Sequence, residues 1–267
     1  MRGGWRRGQR GVGRAVGTLL VGLCLTGTTQ ADEGQRKADL TELGIEQLMN
    51  IEVTSVSKRQ GPLLEAAAAI FVITQEDIRR RGFTRIPEAL RMVPGLQVAR
   101  IDGNKWAITA RGFDAQFSDK LLVLIDGRTV YNPLFSGVDW DVQDVPPEDI
   151  ERIEVISGPG ATLWGANAIN GVINIITKQA GETQGLFLDV AGGNLQQSAT
   201  LQYGGKVGDD VAYRLYAKGF IDGDTPTAAG QHADDQWNKP QGGFRIDWTA
   251  SAADRVTIQG DAYRGDE

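Results

Sequence analysis

Glycines following a β-strand are the first chemical possibility in this 267-residue chain. Ile153 and Val155 precede Gly158, Pro159, Gly160 and Gly165, and the branched run Val172–Ile176 follows Gly171. A strand that runs into glycines can cradle phosphate, because backbone N–H groups approach the anion closely there. The spacing excludes it. A dinucleotide fingerprint needs a third glycine where Leu163 stands, and a P-loop needs Lys and Ser/Thr where Ala166 and Asn167 stand. Hydrolytic and metal chemistry fare no better. His232 is the single histidine, in a polar stretch, and Cys24 is the single cysteine. The carboxylates show no pairing that marks an acid–base site, and His, Cys and carboxylates do not cluster at zinc-ligand spacing. The residues predict neither an enzyme nor a bound cofactor.

The elements around these glycines are more informative. Residues 1–31 read as a secretory leader: Arg2, Arg6, Arg7, Arg10 and Arg14 form a basic start, residues 15–25 an apolar core, and Thr29-Gln30-Ala31 a small-x-small cleavage site. Five of the 28 basic residues lie in that leader and none of the 34 acidic ones, so the remainder carries a net charge of −11. Such a balance argues against nucleic acid as a partner. Without the leader no cysteine is left for a disulfide. No later stretch is apolar for 18 residues, so insertion in a bilayer would have to use a β-barrel.

Residues 69–73 read as a strand, and Thr74 caps a helix that Gly82 stops. A second helix has Pro87 and Glu88 in its first turn and ends at Pro94-Gly95. Strands are expected at 96–100, 107–111, 121–125 and 150–157, with a hairpin at Asp126-Gly127. After Lys178 helix signals vanish and alternation takes over, giving strands at 185–191, 199–206, 211–222, 242–249 and 255–263. Phe244, Ile246 and Trp248 would share one face and Arg245, Asp247 and Thr249 the other; Tyr213, Leu215 and Ala217 would oppose Arg214, Tyr216 and Lys218. That is lipid-out, lumen-in patterning, with Tyr203, Tyr213, Phe220, Trp248 and Tyr263 available for interfacial girdles.

Four segments in fixed order carry a family resemblance: PEALRMVPG at 87–95, ITARGF at 108–113, LVLIDGR at 122–128, and IERIEVISGPGATLWGANAINGVINIITK at 150–178. Together they resemble the plug domain of TonB-dependent outer-membrane receptors. The resemblance implies an α+β plug domain, a mixed sheet with short helices, followed by the first antiparallel strands of a transmembrane β-barrel. Residues 32–60 would hold the TonB-binding segment, 61–180 the plug and 181–267 about five barrel strands. Plugged barrels have 22 strands, so this barrel is expected to be truncated. A plug-only periplasmic module or a degraded gene product is the alternative.

The resemblance also implies partners and roles. Glu52, Val53, Thr54, Ser55 and Val56, an alternating run, would pair with the periplasmic domain of TonB by strand addition. Arg111 and Arg152, at the family's arginine positions, would tether the plug to acidic residues of the barrel wall; Ser157 stands where many relatives have a further arginine. Tyr131, Phe135 and Trp140 would offer aromatic surface to cargo, a metal chelate such as an iron–siderophore complex or a corrinoid. Outer-membrane lipid would cover the barrel.

Overall fold

In the computed structural model, residues 52–53, 61–62, 69–112, 115–117, 120–132, 134, 137–160, 164–165, 167–227 and 229–266 are described. The leader expected at 1–31 and the segment 32–51 lie outside them. All described residues belong to one unit, Lys37–Glu267.

The described residues begin with a two-stranded pair, β1 (Glu52–Val53) and β2 (Gly61–Pro62). β3 (Ala69–Thr74) then runs into α1 (Gln75–Arg81). Thr74 caps that helix reciprocally: its hydroxyl accepts from Asp77 N–H at 3.2 Å and its own N–H donates to the Asp77 carboxylate at 2.9 Å. Gly82 closes the helix in the left-handed region, φ 66°, which a residue with a Cβ adopts only at a cost. α2 (Ile86–Leu90) has its proline in the first turn, where a missing N–H costs nothing.

β4 (Leu96–Arg100) and β5 (Trp106–Ala110) form a separate hairpin. β6 (Leu121–Ile125), β7 (Arg128–Thr129), β8 (Ile150–Ser157) and β9 (Gly171–Thr177) complete a mixed sheet with β3, in the order β3-β8-β9-β6-β7. β6 and β9 are parallel and the other pairs antiparallel. The main core lies between this sheet and the helices: Ile73, Ile78, Ile86, Leu90, Ile153 and Ile175 are all essentially removed from solvent. Buried on both faces, β6 reads as an unbroken apolar run and β9 as one interrupted by Asn174, rather than as alternating strands.

After a single 3₁₀ turn, Ala180–Glu182, the chain enters five antiparallel strands in sequence order: β10 (Gly185–Gly192), β11 (Gln196–Val207), β12 (Val211–Asp222), β13 (Trp237–Thr249) and β14 (Arg255–Tyr263). The pairing register sets side-chain parity across the whole sheet. Leu188 opposes Leu201, Tyr203 opposes Leu215, and Leu215 opposes Phe244, so these side chains share one face. That face is exposed: Leu186 is 74% accessible, Val190 70% and Ile221 60%. The other face is polar and covered by the α+β unit, with Thr200, Gln202, Arg214, Lys218, Lys239 and Arg245 buried on it. An apolar surface outside and a charged one inside is the inverse of a water-borne sheet packed on a core.

Two of the five expected girdle aromatics lie on the wrong face for that role. Phe220 and Tyr263 share parity with Lys218 and Gln241, and so point inward; Phe220 packs edge-on against Trp237, ring centroids 4.8 Å apart. Phe220 lies an even number of residues from Lys218, and alternation alone forces this placement. The expected start of the fourth strand at 242 also moves. β13 begins at Trp237, because Trp237, Lys239 and Gln241 keep the inward parity despite Pro240 between them. The connection between β12 and β13 therefore comprises residues 223–236.

Candidate functional site

Three places in the structure bring chemistry together. The largest is the seam between the α+β unit and the inner face of β11–β14. Here three carboxylates of the α+β unit meet four cations of the strands. Asp144 lies 2.7 Å from Lys218 Nζ and 3.8 Å from Lys239 Nζ. Asp149, 1% exposed, lies 3.2 Å from Arg214 Nε. Asp126 accepts from the Thr177 N–H and hydroxyl at 2.8 and 2.7 Å, and Arg245 in turn reaches that hydroxyl at 2.7 Å and Asp126 at 3.5 Å. Backbone groups complete the seam: Lys239 donates to the Asp141 carbonyl at 2.9 Å, Gln241 to the Asp144 carbonyl at 3.1 Å, and Ala180 N–H to Asp247 at 2.6 Å.

Local structure explains why these carboxylates are available. Asp126 occupies the hairpin between β6 and β7 in the left-handed region, φ 48°. Asp149 ends a 3₁₀ turn, Pro147–Asp149, immediately before β8. Burial pushes the Asp149 carboxyl above the ordinary carboxylate range, with Arg214 pulling the other way; burial likewise raises Glu148 and lowers Lys178. A polar cavity of about 410 Å³ opens within the seam, lined by Asp126, Arg128, Asp149, Arg214, Arg245 and Asp261 among others. Its mixed charge sets it apart from the apolar pockets that hold small organic ligands.

The second place is the end of the seam beside the 223–236 connection, where the polarity reverses. Arg85 and Arg100 of the α+β unit approach Asp222 at 2.7 and 3.3 Å. The connection itself is closed by Asp235, whose carboxylate accepts from the Thr225 N–H and hydroxyl at 2.7 and 2.6 Å; these hydrogen bonds hold its pKa below the usual value.

The third place lies at the ends of β8, β9, β5 and β6 farthest from Lys178. There Asn170 bridges segments: its side chain donates to the Ala110 carbonyl at 3.0 Å and its N–H to the Lys120 carbonyl at 2.9 Å. Arg111, at φ 64°, follows β5 there.

The sequence-derived residues distribute unevenly over these places. Glu52 and Val53 are extended, as expected, but they already pair with Pro62 and Gly61, and Val53 is 3% exposed. Thr54, Ser55 and Val56 lie outside the described residues, as does Phe135. Arg111 is exposed at the third place. Arg152 does not reach the strands: it bonds Glu154 at 2.8 Å and also Glu151, both on β8 itself. Two carboxylates next to it in sequence hold the guanidinium within β8. Tyr131 is half-buried. Trp140 offers no surface to cargo; it is 7% exposed, in the core with Ile108, Leu121, Val123 and Val138.

The sequence marked Asp126 only as a turn residue and did not mark Asp144, Asp149 or the Arg85–Asp222 pair as charged contacts. A signal existed in the basic side chains recurring at alternate positions opposite an apolar face. A buried cation needs a counter-charge, and the strands carry fewer acids than bases on that face.

Among known proteins, residues 62–172 match the family model described as the TonB-dependent receptor plug domain. A vitamin B12 transporter of Vibrio vulnificus is 33% identical over 150 residues, 55% of this chain and 24% of that protein. A ferric enterobactin receptor of Pseudomonas aeruginosa is 32% identical over 224 residues, 76% of this chain and 28% of the receptor. The likeness to the P. aeruginosa receptor FpvA, in its complex with a ferric pyoverdine, is one of fold: TM-score 0.65 at 18% identity, covering 79% of this chain and 27% of that one. The chain spans about a quarter of the length of the curated relatives it matches.

Proposed function

This chain belongs to the TonB-dependent receptors of the Gram-negative outer membrane, and we propose that with further wall strands it serves active uptake of a scarce, bulky nutrient. The observation that carries the proposal is the sheet with two opposite faces. Its outer face is apolar and uncovered; its inner face is charged and built against the plug. A wall of this kind suits lipid outside and a filled lumen inside. The cargo is a metal chelate or corrinoid, as the relatives' names (vitamin B12 transporter, ferric enterobactin receptor) suggest.

Residues 52–56 serve as the strand that the periplasmic domain of TonB extends. Backbone hydrogen bonds give the affinity and alternate side chains the register. Because β1 is paired with β2 in this structure, TonB must displace β2 or add to the free edge of β1. The seam of Asp126, Asp144 and Asp149 on wall cations holds the plug meanwhile, with acids on the plug and bases on the wall.

The test is energy-dependent uptake. The complete gene product, expressed in cells lacking their own receptors, is offered radiolabelled iron–siderophores and cobalamin, with and without TonB. Accumulation of one cargo class that disappears without TonB is the expected result. Uptake independent of TonB, or a product absent from the outer-membrane fraction, contradicts the proposal.

A further inference from the structure

We propose that Arg85 is a positioning residue that latches the end of the plug beside the 223–236 connection to β12 and β13, separately from the carboxylate seam. Arg85 precedes α2 in an extended conformation, φ −144° and ψ 152°, and its side chain makes no cap to that helix. The neighbouring Thr84 bonds Glu88 instead, through its N–H at 3.1 Å and its hydroxyl at 3.3 Å. The helix thus leaves the guanidinium free to turn toward the wall.

There it enters a cage built from the wall's inner face. The guanidinium carbon sits 4.2 Å from the Phe220 ring centroid and 5.4 Å from that of Trp237. Nη2 lies 2.7 Å from the Asp222 carboxylate, and the Trp237 indole N–H donates to the same oxygen at 3.2 Å. Arg85 is 7% exposed and Asp222 3%. Two ring faces and a carboxylate fit a planar, weakly hydrated cation; a lysine ammonium would have the charge but not the plane. Asp222 and Trp237 are Cα partners in the β12–β13 pairing and flank the 223–236 connection. Beside the cage a methyl group on Gly103 would collide with the Asp235 carbonyl oxygen. The β4–β5 turn therefore lies directly against the connection. The latch fastens plug residues 85–106 at the point where that connection leaves the wall.

The proposal rests on the reading of β10–β14 as a wall around the plug, so the experiment reports on both. Hydrogen exchange is followed by mass spectrometry on the complete gene product in outer-membrane vesicles, as wild type and as Arg85→Met, Arg85→Lys and Asp222→Asn. Arg85→Met and Asp222→Asn are each expected to speed exchange across residues 85–106 by about tenfold or more, with β8 and β9 within about twofold of wild type. Arg85→Lys is expected to behave like Arg85→Met, because the cage selects the planar cation. Exchange at 85–106 unchanged within about twofold in Asp222→Asn contradicts the latch even if Arg85→Met fails to assemble. Full rescue by Arg85→Lys, or equal loosening of β8 and β9, also contradicts it. Fast exchange in β11–β13 of the wild type would overturn the wall reading and the latch together; protected strands with an unmoved 85–106 segment would overturn the latch alone.

Discussion

Asp144 is the residue on which the seam depends most, because two lysines, Lys218 and Lys239, share its carboxylate. Removing one partner of a buried pair leaves the other charge without compensation, a loss of about 3–5 kcal/mol. Asp144→Ala is therefore expected to destabilise the protein by that amount in denaturant unfolding. Lys218→Met in the same background should recover part of it, since replacing both partners is often close to neutral. Additive losses would show that the pair is not coupled. The inward position of Lys218 was legible in the alternation of β12. Its partner was not, because Asp144 lies 74 residues away in a stretch without periodicity. Arg152 illustrates the same point within β8. A motif fixes the position of an arginine but not its partner, and Glu151 and Glu154 are local competitors.

Secondary structure followed the local signals most faithfully where chemistry and pattern agreed. Thr74 and Gly82 bound α1, and the Asp126-Gly127 turn joins β6 to β7. Two elements departed from those signals: α2 ends at Leu90, short of the Pro94-Gly95 stop, and β13 starts early, since Pro240 and the polar run before it mask a strand whose inward residues are anchored by the plug. At this scale the first strand offers a direct test: Val53→Pro removes a backbone donor from the segment assigned to TonB. Binding of the TonB periplasmic domain is expected to be lost in a pull-down, and unchanged affinity would sink the assignment. The 223–236 connection makes a prediction about pH. The Asp235 carboxyl, held low by Thr225, binds its proton less readily folded than unfolded. The clasp's contribution is thus present above the unfolded pKa and lost as pH falls through the lower folded one. An NMR titration of the Asp235 carboxyl carbon should show a midpoint below the ordinary aspartate value in wild type, returning toward it in Thr225→Ala, which removes the hydroxyl donor. A wild-type midpoint at or above the ordinary value would contradict the clasp.

At the scale of the whole molecule, one physical arrangement unites the plug's core, the charged seam and the apolar outer face. In the proposed setting, the five-stranded sheet packed against the plug is solvated by lipid on its other side. The composition shift after Lys178 made the two parts legible, and strand parity made the two faces legible. The opposed polarity of the seam needed coordinates, because it is a relation between parts rather than a pattern in either. The most direct measurement is the accessibility of nitroxide labels placed one at a time at Leu201, Gln202, Tyr203, Leu215, Tyr216 and Ala217, in native membranes. Collisions with apolar oxygen should be frequent at Leu201, Tyr203, Leu215 and Ala217, while Gln202 and Tyr216 are shielded from oxygen and from a polar nickel reagent alike. Frequent collisions with the nickel reagent at the four outward positions would place that face in water, and the account of this chain as an outer-membrane receptor wall around a plug would fail.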